Sequence, residues 1–302
     1  MTYEELLTEI ALKDERIIVM TAENRALVRN MQKNLGNRFI DTGITEQTMI
    51  GAAAGLALRG RIPVVHALAS FLTMRAFEFI RTDLGIPNLP VKLIGFIPGF
   101  LSDGNGPTHQ AIEDISILRG IPNMEVFAPA DENDLVAMLP EIINSPAPSY
   151  IRINHRKSDY PYQHSPFEIG NSEEISVGKD ITFIVYGLLF ENTMKAKEQL
   201  EKQGYSIGIV NVRSLKPLDE ELILRIAEET ILIVTVEDHF LTGGLYSILA
   251  ELFLKNKIRA NVFPMALRER WFKPALLNEV MEFEEFTPEK IALHSLRELE
   301  YS

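Results

Sequence analysis

The sequence predicts an α/β protein with two doubly wound domains, each built on a mainly parallel sheet. Short runs rich in Val, Ile and Phe alternate with longer helical patterns, as they do where helices connect parallel strands. A polar, proline-containing interval interrupts this alternation once. The chain of 302 residues also exceeds the length at which single cores stop growing, roughly 250–300 residues. We therefore expect a first domain over 1–156, a linker over 157–176 and a smaller second domain over 177–302.

The first domain begins with a helical pattern over residues 2–13, in which Thr2 and Glu5 form a capping-box pair. Apolar runs then predict strands, because parallel strands buried on both faces read as nearly continuous hydrophobic segments. These strands are predicted at 17–20, 38–41, 63–67, 91–96, 124–128 and 149–153. Helices usually stop near glycine or proline, and helical patterns that do so are found at 72–84, 111–119 and 132–143.

Beyond the linker the same alternation resumes and predicts the second sheet. Strands are predicted at 181–186, 206–212, 231–237 and 260–264, and helices at 191–203, 219–229 and 243–254. Glu237, Asp238 and His239 stand at the end of the third of these strands. A polar strand end is the favoured interpretation of these three residues, ahead of a catalytic role.

The composition excludes several classes of function. A net charge of −12 disfavours nucleic acid as a partner, because phosphate binding needs a positive surface. The absence of cysteine excludes disulfides, thiolate catalysis and cysteine-bound metal in this chain. No apolar run is long enough to cross a membrane. The first residues are acidic and amphipathic, unlike a secretory signal, so we expect a cytoplasmic protein.

Three loops that follow predicted strands carry unusual residues. Open α/β sheets bind ligands at the carboxyl ends of their strands, so these loops point to a site. Glu46 stands in the first turn of a helix that Thr45 can cap, Phe71 follows the next strand, and His109 ends a glycine-rich loop. A carboxylate in a first turn is commonly no more than a partner of the helix dipole, worth roughly 0.3–1 kcal/mol. The three loops together favour a functional site at one edge of the sheet.

Four blocks resemble the C-terminal half of transketolases, and the match covers nearly the whole chain. They are Arg-Phe-Ile-Asp-Thr-Gly-Ile-Thr-Glu-Gln at 38–47, Phe-Leu-Thr-Met-Arg at 71–75, Gly-Pro-Thr-His-Gln at 106–110 and Leu-Arg-Gly-Ile-Pro-Asn-Met at 118–124. The resemblance implies a thiamine diphosphate pyrimidine-binding domain followed by a transketolase C-terminal domain. Similar blocks occur in 1-deoxyxylulose-5-phosphate synthases and in beta subunits of 2-oxoacid dehydrogenases, but the Gly-Pro-Thr-His-Gln block favours the transketolases.

The resemblance also implies roles for individual side chains around the cofactor. Glu46 matches the catalytic glutamate that hydrogen-bonds the aminopyrimidine ring of thiamine diphosphate. Phe71 matches the aromatic residue that stacks on that ring, and Leu68 would line the same pocket. His109, the second catalytic candidate, matches a family histidine that faces the substrate near the reacting carbon.

Substrate binding is implied for three further residues. Arg156 or Arg152 falls where the family has an arginine that binds a sugar phosphate, and the spacing leaves the two as alternatives. Asn105 stands where many transketolases have an aspartate that recognises a substrate hydroxyl. This difference makes the preferred stereochemistry of the substrate an open question.

One expected family feature is missing from the sequence. A Gly-Asp-Gly motif with a later asparagine, which holds the divalent ion and the diphosphate in this family, is not found. The chain therefore offers no metal ligands of its own. We expect a split transketolase, active only with a separate N-terminal subunit that holds the diphosphate and Mg²⁺, in an α2β2 heterotetramer around a homodimer of this chain. The alternatives are a 2-oxoacid dehydrogenase beta subunit, a 1-deoxyxylulose-5-phosphate synthase-like enzyme, and a non-catalytic interaction protein.

Overall fold

The computed structural model describes residues 1–23 and 25–301, and the strands of this part of the chain form two sheets. The strands of the N-terminal region are β1 Ile17–Thr21, β2 Phe39–Asp41, β3 Ile62–Leu68, β4 Lys92–Phe96, β5 Glu125–Phe127 and β6 Ser149–Ile153. Those that follow are β7 Glu173–Ser176, β8 Ile181–Val185, β9 Ile207–Asn211, β10 Ser214–Lys216, β11 Leu232–Phe240 and β12 Val262–Leu267.

Helices cover the faces of these sheets. They are α1 Tyr3–Lys13, α2 Met31–Leu35, α3 Glu46–Leu58, α4 Phe77–Phe79, α5 Asp114–Arg119, α6 Glu132–Asn144, α7 Phe190–Glu201, α8 Glu220–Glu229, α9 Leu245–Asn256, α10 Leu277–Phe283 and α11 Pro288–Glu300. The predicted capping box of the first helix is confirmed, since Thr2 and Glu5 each bond the other's backbone. Across the described residues, each helix lacks the length or the apolar character needed to cross a bilayer.

Both sheets are mainly parallel, which confirms the predicted fold class. The first has seven strands in the order β10-β5-β6-β4-β3-β1-β2, and the second has five in the order β12-β11-β8-β9-β7. Strands β1, β6, β8 and β9 are buried along their whole length. Burial on both faces is what parallel sheets require, and it explains their unbroken apolar sequences.

Two antiparallel edge strands were not predicted. Strand β7 lies inside the interval predicted as linker and pairs with β9. Strand β10 comes after the second sheet has begun, yet it pairs antiparallel with β5 of the first sheet. These strands are only four and three residues long, and their pairing comes from tertiary contacts that have no local pattern. The predicted domain boundaries at residues 156 and 177 stay a prediction. The last residue of the predicted second domain, Ser302, lies outside the described part.

Two predicted helices differ from the observed ones. The predicted helix 72–84 consists of wide π-helical turns at Phe71–Arg75 and Ile80–Gly85 on either side of α4. The helix predicted from residue 111 begins only at Asp114. The carbonyls of Ala111 and Ile112 accept hydrogen bonds from Gly99 and Phe240 instead, at 2.9 Å each. These bonds to other elements explain the late start of α5.

Candidate functional site

A cleft of about 510 Å³ opens at the carboxyl ends of β1, β2 and β3. Its walls come from the loops that follow these strands, as expected for an α/β sheet. The lining residues are Ala22, Glu23, Arg25, Ala26, Arg29, Ile44, Glu46, Leu68 and Phe71. The structure therefore brings three of the sequence-predicted residues, Glu46, Leu68 and Phe71, into one cavity.

Glu46 is the first residue of α3, and only 3% of it is exposed. The expected side-chain cap by Thr45 is wrong, because its hydroxyl donates to the carbonyl of Thr42 at 2.9 Å instead. An arginine holds the carboxylate from the other side: Arg75 Nη1 donates to Glu46 Oε2 at 2.9 Å. Among residues 1–23 and 25–301, no further donor to the Glu46 side chain is found, so its Oε1 atom can accept another hydrogen bond.

Arg75 connects Glu46 with Phe71. Its guanidinium carbon lies 4.2 Å from the centre of the Phe71 ring, a cation–π distance. His109 meets the same ring edge-on, with 5.0 Å between ring centres and an angle of 62°. The side chains of Glu46, Arg75, Phe71 and His109 therefore form one contiguous group. The sequence interpretation gave Arg75 no role, although it lies within the Phe71 block; the carboxylate that it contacts is too distant in sequence to be inferred.

Asp41 ties together two loops at the mouth of this cleft. It accepts hydrogen bonds from Arg25 Nε at 2.6 Å and from the backbone amides of Glu23 and Gly43 at 3.0 and 2.9 Å. Burial raises the pKa of Asp41, but the bonds from Gly43, Arg25 and Glu23 outweigh it and bring that pKa below its usual value. Sequence reasoning missed this residue too, although it ends the strand before Glu46.

The loop after β4 carries Asn105 and His109. Its first part, Gly99–Asn105, forms 3-10 turns. His109 is half-buried, and its Nδ1 lies 2.9 Å from the hydroxyl of Thr108. Asn105 is exposed on the same loop. The structure thus places His109 against Phe71, whereas no described contact joins Asn105 to that aromatic ring.

The two arginines predicted as alternatives lie in different surroundings. Arg152 is buried and donates to Asp114 Oδ2 at 2.8 Å and to Asp238 Oδ1 at 2.6 Å. Burial lowers the pKa of Arg152, but Asp114 and Asp238 raise it above its ordinary value. Arg156 is exposed and lines a separate polar cavity of about 340 Å³. A role in binding substrate is therefore easier to reconcile with Arg156 than with Arg152.

One group of residues has the composition of a metal site. Ligand-type atoms of Asp134, His164 and Glu173 lie within 4.8 Å of one another. Arg213 already contributes a cation 3.5 Å from Asp134, and His164 Nδ1 lies 2.9 Å from Glu173. Burial lowers the pKa of His164, but Asp131 and Glu173 outweigh it and raise that pKa to about 10. With Arg213 already beside Asp134 and His164 paired with Glu173, this group forms an ion-pair network at the domain junction.

Comparison with known proteins agrees with this architecture. Residues 1–160 match the family described as transketolase, pyrimidine binding domain, and residues 170–291 match transketolase, C-terminal domain. The 6-deoxy-6-sulfo-D-fructose transketolase subunit SqwH of Clostridium sp. strain MSTE9 is 36% identical over 258 residues, covering 84% of this chain and 80% of that protein. A solved structure described as "Split gene transketolase, inactive beta4 tetramer" is 31% identical with a TM-score of 0.89, covering 98% of this chain and 96% of the other.

A second group of relatives is longer than this chain. The 1-deoxy-D-xylulose-5-phosphate synthase of Caldanaerobacter subterraneus is 36% identical over 272 residues, which make up 88% of this chain but 43% of that protein. Both domain matches and the split-gene relatives confirm the resemblance found in the sequence. This chain belongs to the thiamine diphosphate-dependent transketolase family, in which it corresponds to the C-terminal half and is a homologue of split transketolase subunits.

Proposed function

We propose that this chain is the pyrimidine-binding C-terminal subunit of a split transketolase, which transfers a two-carbon ketol unit between sugar phosphates. The observation that carries the proposal is the group formed by Glu46, Phe71 and His109 at the cleft. A buried carboxylate with an available oxygen, a flat aromatic face and an imidazole lie within one connected set of contacts. The family resemblance implies cofactor or substrate contacts for each of these three side chains.

The cleft fits the aminopyrimidine half of thiamine diphosphate. Glu46 Oε1 would accept a hydrogen bond from the ring, and Phe71 would stack on its face, as an aromatic side chain does with a flat heterocycle. Leu68 would supply an apolar wall. When bound, the cofactor supplies the carbanion chemistry. The contribution of this chain is to bind and orient the pyrimidine and to hold a proton at the Glu46 carboxylate.

Glu46 can act on that proton because the protein fixes the position of the Glu46 carboxylate. The carboxylate is buried at a helix start, and Arg75 fixes its Oε2 atom. A preorganised charged group in a site that excludes water acts more strongly on a bound ring than the same group in water. His109 contacts the Phe71 ring, and from this position it would orient a substrate hydroxyl or carbonyl.

The diphosphate half of the cofactor finds no comparable site. The sequence has no Gly-Asp-Gly motif, and in the described group of Asp134, His164 and Glu173 the guanidinium of Arg213 already lies beside Asp134. A separate N-terminal subunit would hold the diphosphate and Mg²⁺, in an α2β2 assembly. The split-gene relative is described as an inactive tetramer of beta chains. This supports a requirement for a second kind of chain. The predicted cytoplasmic location stays a prediction.

Sugar phosphate binding would fall to residues away from the cofactor ring. His109 and Asn105 share one loop, and Arg156 is the exposed arginine of the two candidates. The name of the SqwH relative indicates a sugar that carries a sulfonate. An exposed guanidinium suits phosphate and sulfonate oxygens alike.

The test is reconstitution from two purified chains. This chain is mixed with a partner that carries the Gly-Asp-Gly motif and a later asparagine, and ketol transfer from a ketose phosphate to an aldose phosphate is measured. We expect transfer only when both chains, thiamine diphosphate and Mg²⁺ are present. Full activity of this chain alone, or an inactive complete mixture in which the two chains bind each other, would contradict the proposal.

A second candidate is a 1-deoxyxylulose-5-phosphate synthase-like or 2-oxoacid-decarboxylating enzyme. The identity of 36% to a synthase over 88% of this chain favours it. The same reconstituted mixture separates the two functions when a 2-oxoacid replaces the ketose phosphate. Release of CO₂ without ketol transfer would support the second candidate.

A further inference from the structure

The loop that carries Asn105 and His109 belongs to the first domain but is held by the second. The loop is closed at its base, where the Gly99 amide donates to the carbonyl of Ala111 at 2.9 Å. From this base it extends toward residues that follow β11 and β12. Four kinds of contact attach it there.

The first contact is apolar. Phe100 is fully buried and belongs to the hydrophobic cluster formed by the second sheet and its helices. Its ring lies 5.3 Å from that of Phe272 at 89°, and 5.1 Å from that of Phe286 at 66°. A side chain from the first domain thus forms part of the core of the second, and burial of a phenylalanine is worth about 1.5–3 kcal/mol.

The second contact is the carboxylate of Asp238, at the end of β11. Its Oδ2 accepts a hydrogen bond from the Phe100 amide at 3.3 Å. Gly99 has a φ of +55°, and a Cβ added there would lie 1.8 Å from the same oxygen. The loop backbone therefore passes Asp238 at a distance that only glycine allows. Arg152 holds Asp238 in turn, through its bond to Oδ1 at 2.6 Å.

The third contact starts next to His109 itself. Gln110 is 1% exposed, and its Nε2 donates to the carbonyl of Phe272 at 2.8 Å. Its Oε1 is buried and has no partner among the described residues. The fourth contact joins the backbones, where the Ala275 amide donates to the carbonyl of Asp103 at 3.3 Å. Contacts with the second domain therefore flank Asn105 and His109 on both sides along the chain.

We infer that the second domain positions the substrate-facing loop, and that Phe100, Gln110 and Asp238 are positioning residues for the transfer reaction. The inference rests on the proposed function for the roles of Asn105 and His109. Ordering a free loop costs about 1–2 kcal/mol per residue in backbone entropy, and contacts with the second domain offset that cost in advance. Their effect on catalysis follows because a displacement of about 1 Å can reduce a rate by roughly 10²-fold.

The experiment replaces Gln110, whose side chain touches the second domain and not the cleft. Gln110→Leu removes both the hydrogen bond to the Phe272 carbonyl and the unpartnered Oε1. The carbonyl loses its donor, but the cost of burying Oε1 disappears, so the two effects on overall stability oppose each other. Gln110→Glu keeps the shape but replaces the donor by an acceptor. Glu251→Gln is the matched control, because Glu251 also crosses between the domains, to Arg119, but lies away from the loop.

Two measurements are made on the full chain. Amide hydrogen exchange across 99–110 is followed first without partner, and we expect exchange at least about tenfold faster in either Gln110 variant, which corresponds to about 1.4 kcal/mol, and unchanged in Glu251→Gln. In the assembled enzyme we expect kcat/KM to fall roughly 10- to 100-fold in the Gln110 variants, with kcat lowered in both. The melting temperature should be retained in Gln110→Leu and lowered in Gln110→Glu, which buries an unpaired carboxyl group.

The outcomes separate this inference from the proposed function. An inactive wild-type mixture contradicts the proposed function, whereas the exchange measurement still tests the contact with the second domain. Unchanged exchange at 99–110 in both Gln110 variants overturns the inference. Faster exchange with unchanged kcat/KM in an active enzyme overturns the positioning role, and an equal effect of Glu251→Gln does so as well.

Discussion

Two groups of buried carboxylates in this chain have opposite surroundings. Glu46 borders a cleft of about 510 Å³, and its described partner is Arg75, whose side chain is 41% exposed. Asp114 and Asp238 are enclosed between the two domains and share the buried guanidinium of Arg152. Asp114 also accepts a hydrogen bond from the hydroxyl of Tyr150 at 2.6 Å. One group borders a cavity that is open to a ligand, and the other is enclosed and takes its cation from the protein.

The difference shows that burial of charge does not by itself identify a functional site. Burial shifts the pKa values of groups in structural ion pairs, as it shifts those of catalytic groups. Burial lowers the pKa of Arg152, and Asp114 and Asp238 raise it above its ordinary value. These three residues nevertheless connect elements of the fold. Glu46 differs because it lines an open cleft beside the aromatic ring of Phe71.

The largest effect is expected at the open site. Glu46→Gln should lower ketol transfer in the assembled enzyme by roughly 10²–10⁴-fold, the range for a group that handles a proton. The free energy of unfolding should change by less than about 1 kcal/mol, because glutamine keeps an oxygen that can accept the hydrogen bond from Arg75, whose side chain is 41% exposed and stays solvated. Steady-state kinetics and thermal unfolding measure the two quantities. Turnover within a factor of about two of wild type would remove Glu46 from the mechanism.

The closed site should respond in the opposite way. Arg152→Leu leaves Asp114 and Asp238 buried without their cation, and breaking a buried pair costs about 3–5 kcal/mol of unfolding free energy. Arg156→Leu is the matched control. Arg156 is exposed, so the free energy of unfolding of this variant should stay within about 0.5 kcal/mol of wild type. Urea unfolding followed with a probe in each domain gives the comparison. Equal effects at the two arginines would refute the distinction between them.

A second closed network should make stability depend on pH. Burial lowers the pKa of His164, but Asp131, Glu173 and Asp134 raise it from its ordinary 6.5 to about 10. A raised folded-state pKa contributes stability that is fully present below the unfolded value, near 6.5, and is lost as pH rises through about 10. His164→Gln should remove this share of the pH dependence. Melting temperatures of both proteins across that interval test it, and parallel curves would contradict it.

The smallest effect is expected for an ion pair that crosses the domains at the surface. Glu251→Gln removes the partner of Arg119, but the side chain of Glu251 is 63% exposed. Exposed pairs contribute about 0–1 kcal/mol, so the free energy of unfolding should change by less than that. The same urea titration measures it. A loss as large as that of Arg152→Leu would show that location between the domains, and not burial, determines the cost.

The class of the fold and the loops of the site could be predicted because their signals are local. Apolar runs bounded by turn residues marked most of the strands, and the position of Glu46, Phe71 and His109 after successive strands placed them at one edge. Arg75 could not be predicted, because its role depends on the distance of its guanidinium from Glu46 and Phe71. The sequence favoured Arg156 over Arg152 without excluding either, and their burial separates them.

From the sequence we could predict two mainly parallel α/β sheets and the family of the chain, and we could see that it lacks a diphosphate motif. These follow from periodicity and from residues that stand close together in the chain. Three features became visible in the folded structure alone: β10 pairs at the edge of the first sheet, α5 begins at Asp114, and the second domain holds the His109 loop. Each of these depends on hydrogen bonds and packing between segments far apart in sequence, for which a local pattern carries no signal.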